Sequence, residues 1–240
     1  MKDARNYFRQ QFLGGITAPN AGEEPWLRLR LEMLEVQIRK RGIVDAAVLA
    51  VMSTIPRHEF VPDEQKSQAY ADAPLPIGGA QTISQPYIVA AMTQALGLRG
   101  EECVLEIGTG CGYQTAVLSR LSKEVFSVEC RAELASQAEQ RLARLGFTNV
   151  RIFCADGTLG LPEFAPFDAI LVAAAAPAVP PPLLAQLSDS GRLVLPLGGA
   201  ESQELHLIQR HGSAFAERNL GACRFVPLIG YYGVQESPSR

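Results

Sequence analysis

The stretch Val104-Leu105-Glu106-Ile107-Gly108-Thr109-Gly110-Cys111-Gly112-Tyr113 decides how this chain folds. An apolar run carries one acidic residue, meets a glycine-rich turn, and passes into a helix-like run over residues 114–121. That is the first strand-loop-helix of a nucleotide-binding α/β unit, in which glycine lets the backbone turn sharply and approach a ligand closely. The spacing is G-x-G-x-G, whereas dinucleotide folds use G-x-G-x-x-G to seat a pyrophosphate on a helix N-terminus. A carboxylate at Glu106 would repel a pyrophosphate and suit a cation. S-adenosylmethionine, with a sulfonium, an ammonium and no phosphate, fits this loop better than NAD.

On the C-terminal side, strand-like and helix-like runs alternate. Residues 124–129 read as a strand, 132–145 as a helix closed by Gly146, 150–155 and 167–173 as strands, 181–187 as a short helix and 192–197 as a strand. This alternation predicts a doubly wound, mostly parallel, Rossmann-like sheet covered by helices. Residues 204–209 and 215–225, on either side of His211-Gly212-Ser213, predict two further strands paired antiparallel.

On the N-terminal side, Leu27, Leu31, Leu34 and Ile38 fall at helical spacing, and Gly42 ends the run. Asp45 predicts the N-cap of a second helix that closes before Pro56. An irregular stretch to Ile77 follows, and His58 within it reads as a packing or surface residue. Then comes Gly78-Gly79-Ala80-Gln81-Thr82-Ile83-Ser84-Gln85-Pro86-Tyr87. Pro86 suits the first turn of a helix running to Leu96, ended by Gly97. Ser84 and Gln85 could serve only as caps. Gln81 and Thr82 lie outside any cap, so the polar cluster exceeds what a helix start requires. Residues 1–26, rich in Gly, Pro, Ala and Asn near their end, are expected to form a flexible arm. A single domain spans 27–230, divided into a helical, substrate-side part (27–98), a cofactor-binding core (99–198) and C-terminal strands (199–230), with a tail at 231–240.

Composition narrows the class. At 47% hydrophobic and 20% charged residues the chain reads as globular rather than disordered. A formal charge of -3 argues against a large nucleic-acid footprint. No run is long enough for a transmembrane helix, and residues 1–15 lack the apolar core of a secretory signal. Five cysteines without C-x-x-C spacing, and three scattered histidines, predict reduced, mostly packed thiols in a cytoplasmic protein and no metal site.

In open α/β sheets the ligand sits beyond the carboxyl ends of the strands. Glu106 and the loop of Gly108, Gly110 and Gly112 lie at the first such end. Glu129, nineteen residues beyond Gly110, lies at the second and can accept from both ribose hydroxyls. Asp156-Gly157 ends the third, with a carboxylate for the adenine amino group and a glycine leaving room for the ring. The fourth end, Ala173-Ala174-Ala175-Ala176-Pro177, offers no base or amine acceptor. A carboxylate substrate, ionised at neutral pH, needs only positioning and removal of water. A methyltransferase acting on small molecules or RNA, and a non-catalytic adenosylmethionine-binding module, also fit these residues.

The chain resembles the protein-L-isoaspartate (D-aspartate) O-methyltransferases. Carrying the resemblance are Pro56-Arg57-His58-Glu59-Phe60-Val61-Pro62, Gly79-Ala80-Gln81-Thr82-Ile83-Ser84-Gln85-Pro86, the glycine loop, Ala165-Pro166-Phe167-Asp168-Ala169-Ile170, Gly191-Arg192-Leu193-Val194-Leu195-Pro196-Leu197-Gly198 and Arg224-Phe225-Val226-Pro227-Leu228. The resemblance implies methylation of the free α-carboxylate of isoaspartyl, and also D-aspartyl, residues in damaged proteins and peptides. The ester then closes to a succinimide that hydrolyses partly to aspartate. It implies Ser84 as the active-site serine, Thr82 and Ile83 beside it at the acceptor, and Val226 in the wall of the peptide groove. A monomer without nucleic-acid or membrane partners is expected. Two departures stand out: many relatives have threonine where this chain has Ala173, and aromatic residues where it has Thr158-Leu159-Gly160-Leu161.

Overall fold

In the computed structural model, which describes residues 24–235, helices and a small hairpin precede the sheet. Residues 1–23 of the expected arm and 236–240 of the expected tail lie outside the described residues. Helix α1 (Glu24–Glu32) opens earlier than residue 27, continues as a wider-wound turn over Met33–Ile38, and ends where Gly42 takes the left-handed conformation. Helix α2 (Ala46–Thr54) starts on the expected cap, with the Asp45 carboxylate accepting from the amides of Ala47 and Val48. The stretch ending at Ile77 is more ordered than its sequence suggests. Strands β1 (Leu75–Gly78) and β2 (Gln81–Ile83) pair antiparallel across a turn in which Gly78, Gly79 and Ala80 all have positive φ. That path is why two glycines precede the polar cluster. Helix α3 (Pro86–Leu96) has its proline in the first turn and stops at Gly97.

The core then runs β3 (Cys103–Ile107), α4 (Tyr113–Ser119), β4 (Glu124–Glu129), α5 (Ala132–Arg144), β5 (Val150–Cys154), β6 (Phe167–Val172), α6 (Pro181–Ala185), β7 (Leu187–Gly198), β8 (Gln203–His211) and β9 (Ala214–Cys223). The strands lie in the order β5-β4-β3-β6-β7-β8-β9. β5 through β7 are parallel, and β8 and β9 are antiparallel, as expected. β7 begins at Leu187, ahead of the residue 192 expected for it, because Leu187 pairs with Phe167 before a bulge and the ladder resumes at Arg192. Ser188-Asp189-Ser190-Gly191 reads as a turn, and a turn-like bulge inside a strand carries the same residues.

Alternation along the strands sends side chains into two apolar layers. Val104, Val125, Ala169, Leu171 and Val194 face the layer covered by α3 and α4, while Leu105, Ile107, Phe126, Ile170 and Leu193 face the layer covered by α6. Burial on both faces accounts for the near-continuous apolar runs that marked these strands. α4 is buried along its whole length, which explains its lack of a polar face. His58 is buried, stacked on Trp26 with ring centroids 4.5 Å apart and hydrogen-bonded to the Tyr70 hydroxyl, a packing role. All five cysteines are free, but only Cys111 is buried, while Cys130 and Cys154 are exposed. The expectation of mostly packed thiols is corrected here: Cys154 lies at the end of edge strand β5, and Cys130 follows the end of β4. Among the described residues no helix is long and apolar enough to cross a membrane.

Candidate active site

The chain leaves β3 toward β4 on one side and later returns to place β6 on the other. The crevice between the carboxyl ends of β3 and β6 is therefore the switch point at which such sheets bind ligands. A cleft open to solvent lies there. Its floor is the loop of Gly108 and Gly110 with Ala173 and Ala174 from the end of β6. One wall is Gln81 to Ser84, and the facing wall is Val226 to Ile229. Glu129, Cys130 and Gly157 close the end over β4 and β5.

Local folding explains each part. Gly108 and Gly110 have φ of +93° and +54°, and a Cβ on Gly108 would lie 3.5 Å from that of Ala173. The loop is pinned by the Gly110 amide donating to Glu129 Oε2 (2.8 Å), while Oε1 accepts from the Arg131 amide (3.1 Å). Each Glu129 oxygen therefore holds one backbone donor, and Oε1 also meets the Cys130 thiol at 3.6 Å, a weak contact that a ligand hydroxyl can displace. The Val226 wall is sewn to the alanine run: Ala175 donates to the Val226 carbonyl and Leu228 donates back to Ala175, both at 2.8 Å. On the other wall, Thr82 is exposed, Ser84 is half-buried, and Gln85 makes no capping hydrogen bond to α3. The purely capping reading of this cluster therefore lacks support at Gln85, whose side chain donates to Asp72 instead.

Thus Thr82, Ile83, Ser84, Gly108, Gly110, Glu129, Gly157 and Val226 meet in one cleft. Three other expected site residues do not line it. Gly112 has φ +86° and no room for a side chain, since a Cβ would press on Leu142 at 3.2 Å; it fits α4 against α5. Asp156 caps the turn after β5, accepting from the Thr158 amide and hydroxyl, and its other oxygen accepts from the Tyr231 amide at 2.7 Å. It faces a neighbouring depression that adjoins the cleft at Cys130 and Ile229. Chain beyond Gly230, expected to be tail, is thereby folded back onto the site. Gly157 does line the cleft, and a Cβ there would collide with Ile107 of β3.

Glu106 also lies off the cleft, fully buried beneath the glycine loop. Its Oε2 accepts from the hydroxyls of Thr115 (2.6 Å) and Ser127 (2.7 Å), and Oε1 has no partner. Burial raises its pKa to about 7, against the lowering effect of the two hydroxyls. The folded protein therefore keeps a proton that the unfolded chain releases near pH 4.5. The stability this gives is full below about pH 4.5 and is lost as pH rises through about 7. We expect a loss of about 3 kcal/mol across that window, several degrees in melting temperature. Glu106→Gln, neutral throughout, should abolish that dependence in melting curves taken from pH 4.5 to 8, and an unchanged profile in the variant would refute it.

Two features escaped the sequence reading. Arg57, completely buried, donates to the Ser84 carbonyl, and Tyr113, just after the loop, lines the cleft. Arg57 lay in plain view within the 56–62 motif, but nothing in that motif shows which backbone it grips.

The only charged side chain lining the cleft among the described residues is Glu129, and no Lys or Arg is present to meet a phosphate. The cleft therefore suits a cationic, phosphate-free ligand with neighbouring hydroxyls, and the residues present fit S-adenosylmethionine. Among the described residues lining the cleft, none beside Thr82 or Ser84 is a general base able to activate a hydroxyl or an amine.

The family model for protein-L-isoaspartate(D-aspartate) O-methyltransferase matches residues 29–232. A protein-L-isoaspartate O-methyltransferase of Syntrophus aciditrophicus is 56% identical over 207 residues, covering 85% of this chain and 95% of that protein. A protein-L-isoaspartate O-methyltransferase 2 of Shewanella sediminis is 51% identical over 225 residues, covering 93% and 91%. Among solved structures, a protein-L-isoaspartate O-methyltransferase aligns with TM-score 0.77 and 31% identity over 85% of this chain and 67% of that one. A Plasmodium falciparum protein solved with S-adenosyl-L-homocysteine shares the fold, with TM-score 0.73 and 24% identity over 83% of this chain and 98% of that one. With its cleft built from the motifs that carry the family likeness, and its sequence matched from residue 29 to residue 232, this chain belongs to the protein-L-isoaspartate(D-aspartate) O-methyltransferase family.

Proposed function

We infer that this chain methylates the free α-carboxylate of L-isoaspartyl residues, and of D-aspartyl residues, in damaged proteins and peptides, using S-adenosylmethionine and so initiating repair through a succinimide. The observation that carries the reading is the single cleft in which Thr82 and Ser84 face the glycine loop with no base between them. When bound, the cofactor supplies an electrophilic methyl group. The protein's part is to place the acceptor. Glu129 takes the ribose hydroxyls on its two oxygens and so fixes the cofactor's long axis. Thr82 and Ser84 donate to the acceptor carboxylate and orient it; Ser84 is a hydrogen-bond donor here, with no base beside it to make it a nucleophile. Ala173, Ala174 and the Val226 wall enclose the reacting pair and thin out water, which strengthens the attraction between carboxylate and sulfonium.

Gly157 gives the adenine room, and Asp156 serves it through the turn that it caps. Residues 27–230 act as one catalytic unit on this reading. The absence of basic side chains in the cleft supports the exclusion of nucleic acid, the free cysteines support a cytoplasmic location, and a site complete within one chain supports a monomer. The test is transfer of labelled methyl groups to a synthetic isoaspartyl peptide. We expect a base-labile ester. A base-stable N-methyl product, or labelling of RNA in preference to peptide, would overturn the reading, and binding of cofactor without turnover on any peptide would favour a non-catalytic module.

A further inference from the structure

Arg57 carries a charge that the chemistry above does not use. Its side chain is fully buried in the short helical turn Arg57–Phe60, and it pairs with no carboxylate among the described residues. The guanidinium reaches three separate pieces of chain. Nε donates to the Ala69 carbonyl at 2.7 Å, ahead of the β1–β2 hairpin. Nη2 donates to the Ser84 carbonyl at 2.8 Å, at the turn from β2 into α3. The guanidinium carbon lies over the Tyr113 ring, 4.8 Å from its centroid, at the first residue after the glycine loop. Nη1 and the Tyr113 hydroxyl make no hydrogen bond of good geometry, and the guanidinium is the polar group the hydroxyl interacts with. Burial pulls the Arg57 pKa down from its ordinary value and pushes the Tyr113 hydroxyl up to about 12, so the tyrosine stays neutral and offers its face, not a counter-charge.

An unpaired buried cation is costly, and a leucine or methionine would fill the space without that cost. What only a guanidinium offers is a rigid fork of diverging donors on a flat, stackable plane. Here the fork holds two carbonyls and sits over an aromatic ring. One of those carbonyls belongs to the serine of the acceptor wall, and the ring belongs to the helix that begins at the cofactor loop.

We propose that Arg57 is a positioning residue that sets Ser84 against the cofactor loop, and thereby fixes where the acceptor carboxylate sits relative to the methyl group. The proposal rests on the assignment of Ser84 to the acceptor carboxylate. Arg57 acts entirely through Ser84 and Tyr113, since it does not itself line the cleft. A lysine keeps the charge but is a compact ammonium on a flexible stem, which cannot hold both carbonyls and sit over the ring.

The experiment is a double-mutant cycle. In Arg57→Lys, kcat on an isoaspartyl peptide should fall about tenfold or more while calorimetric affinity for the cofactor changes less than about threefold. In Ser84→Ala, which has already lost the hydroxyl that Arg57 positions, adding Arg57→Lys should cost less than about twofold in kcat. Equal losses in the two backgrounds would overturn the proposal, because general destabilisation is additive. Hydrogen exchange gives a reading independent of the acceptor. Amides at 81–85 should exchange about tenfold faster in Arg57→Lys, with the sheet core unchanged; unchanged exchange at 81–85 would also overturn it. Arg57→Met, which fills the volume without a donor, carries the same test if the lysine variant does not fold. Failure of the unaltered protein to methylate isoaspartyl peptide would count against the function, leaving the exchange result to decide on Arg57.

Discussion

Glu129→Ala is expected to weaken S-adenosylmethionine binding by about a hundredfold or more. The carboxylate is nearly buried at the end of β4, with each oxygen already holding one backbone amide, that of Gly110 and that of Arg131. Oε2 keeps one lone pair free and Oε1 meets only the weak Cys130 thiol contact at 3.6 Å, so both can serve two neighbouring ribose hydroxyls. A hydrogen bond to a charged acceptor contributes about 1.5–3 kcal/mol, so two of them account for at least a hundredfold in affinity. The substitution also frees the Gly110 amide and loosens the loop beneath the ligand, which adds to the loss. Glu129→Gln preserves shape but turns an amide NH₂ toward one of the backbone donors, and should fall between alanine and the unaltered protein. Calorimetric titration decides the matter. Unchanged affinity in Glu129→Ala would move the ribose elsewhere in the cleft.

The residues at the cleft differ in how far the sequence announced them. Gly108, Gly110 and Glu129 were legible because backbone geometry and strand position leave little choice: a tight turn needs glycine, and a strand's last residue must lie at the sheet's carboxyl edge. Glu106 was misdirected for an equally physical reason. It shares a strand face with Val104, and that face looks toward α4, where Thr115 lies, not up toward the ligand. Strand alternation predicts two faces without saying which one the helix covers. Asp156 could be placed at a strand end and its bond to Thr158 is local, but its bond to the Tyr231 amide depends on a tail that folds back from 75 residues away. Long-range partners of this kind leave no local periodicity. The same holds for Arg57, whose partners at 69, 84 and 113 are brought together only by the finished fold.

The departure at Ala173 also gains a physical account. Its methyl lies 3.5 Å from where a Cβ on Gly108 would sit, in van der Waals contact, so the floor of the cleft at this point is closely packed. A hydroxyl there would point into the cleft beside the loop. This chain has no hydroxyl at that position, which places acceptor recognition on Thr82 and Ser84 of the opposite wall.

That concentration bears on the largest expected effect, discrimination between isoaspartyl and aspartyl peptides. An isoaspartyl residue sends its main chain through the side-chain carbonyl, so its free carboxylate is bonded directly to Cα. A normal aspartate holds its carboxylate one methylene further out. The difference displaces the nucleophilic oxygen by about 1 Å or more, and a misplacement of that size costs on the order of a hundredfold in an in-line reaction. The walls give little latitude to absorb it. Ser84 is tied by its carbonyl to Arg57, Thr82 is paired with Pro76 in the hairpin, and the Val226 wall is sewn by two backbone bonds to Ala175, next to the floor. A cleft without a base also cannot compensate by activating a poorly placed acceptor. We therefore expect kcat/KM for an isoaspartyl peptide to exceed that for the matched aspartyl peptide by about a hundredfold or more, with the difference largely in kcat once both are saturating. Loosening the wall should erode it: Arg57→Lys should narrow the ratio by slowing the isoaspartyl reaction more than the aspartyl one. Comparable rates on the two peptides with the unaltered protein would show that the carboxylate is not placed by Thr82 and Ser84, and would remove the basis for its selectivity.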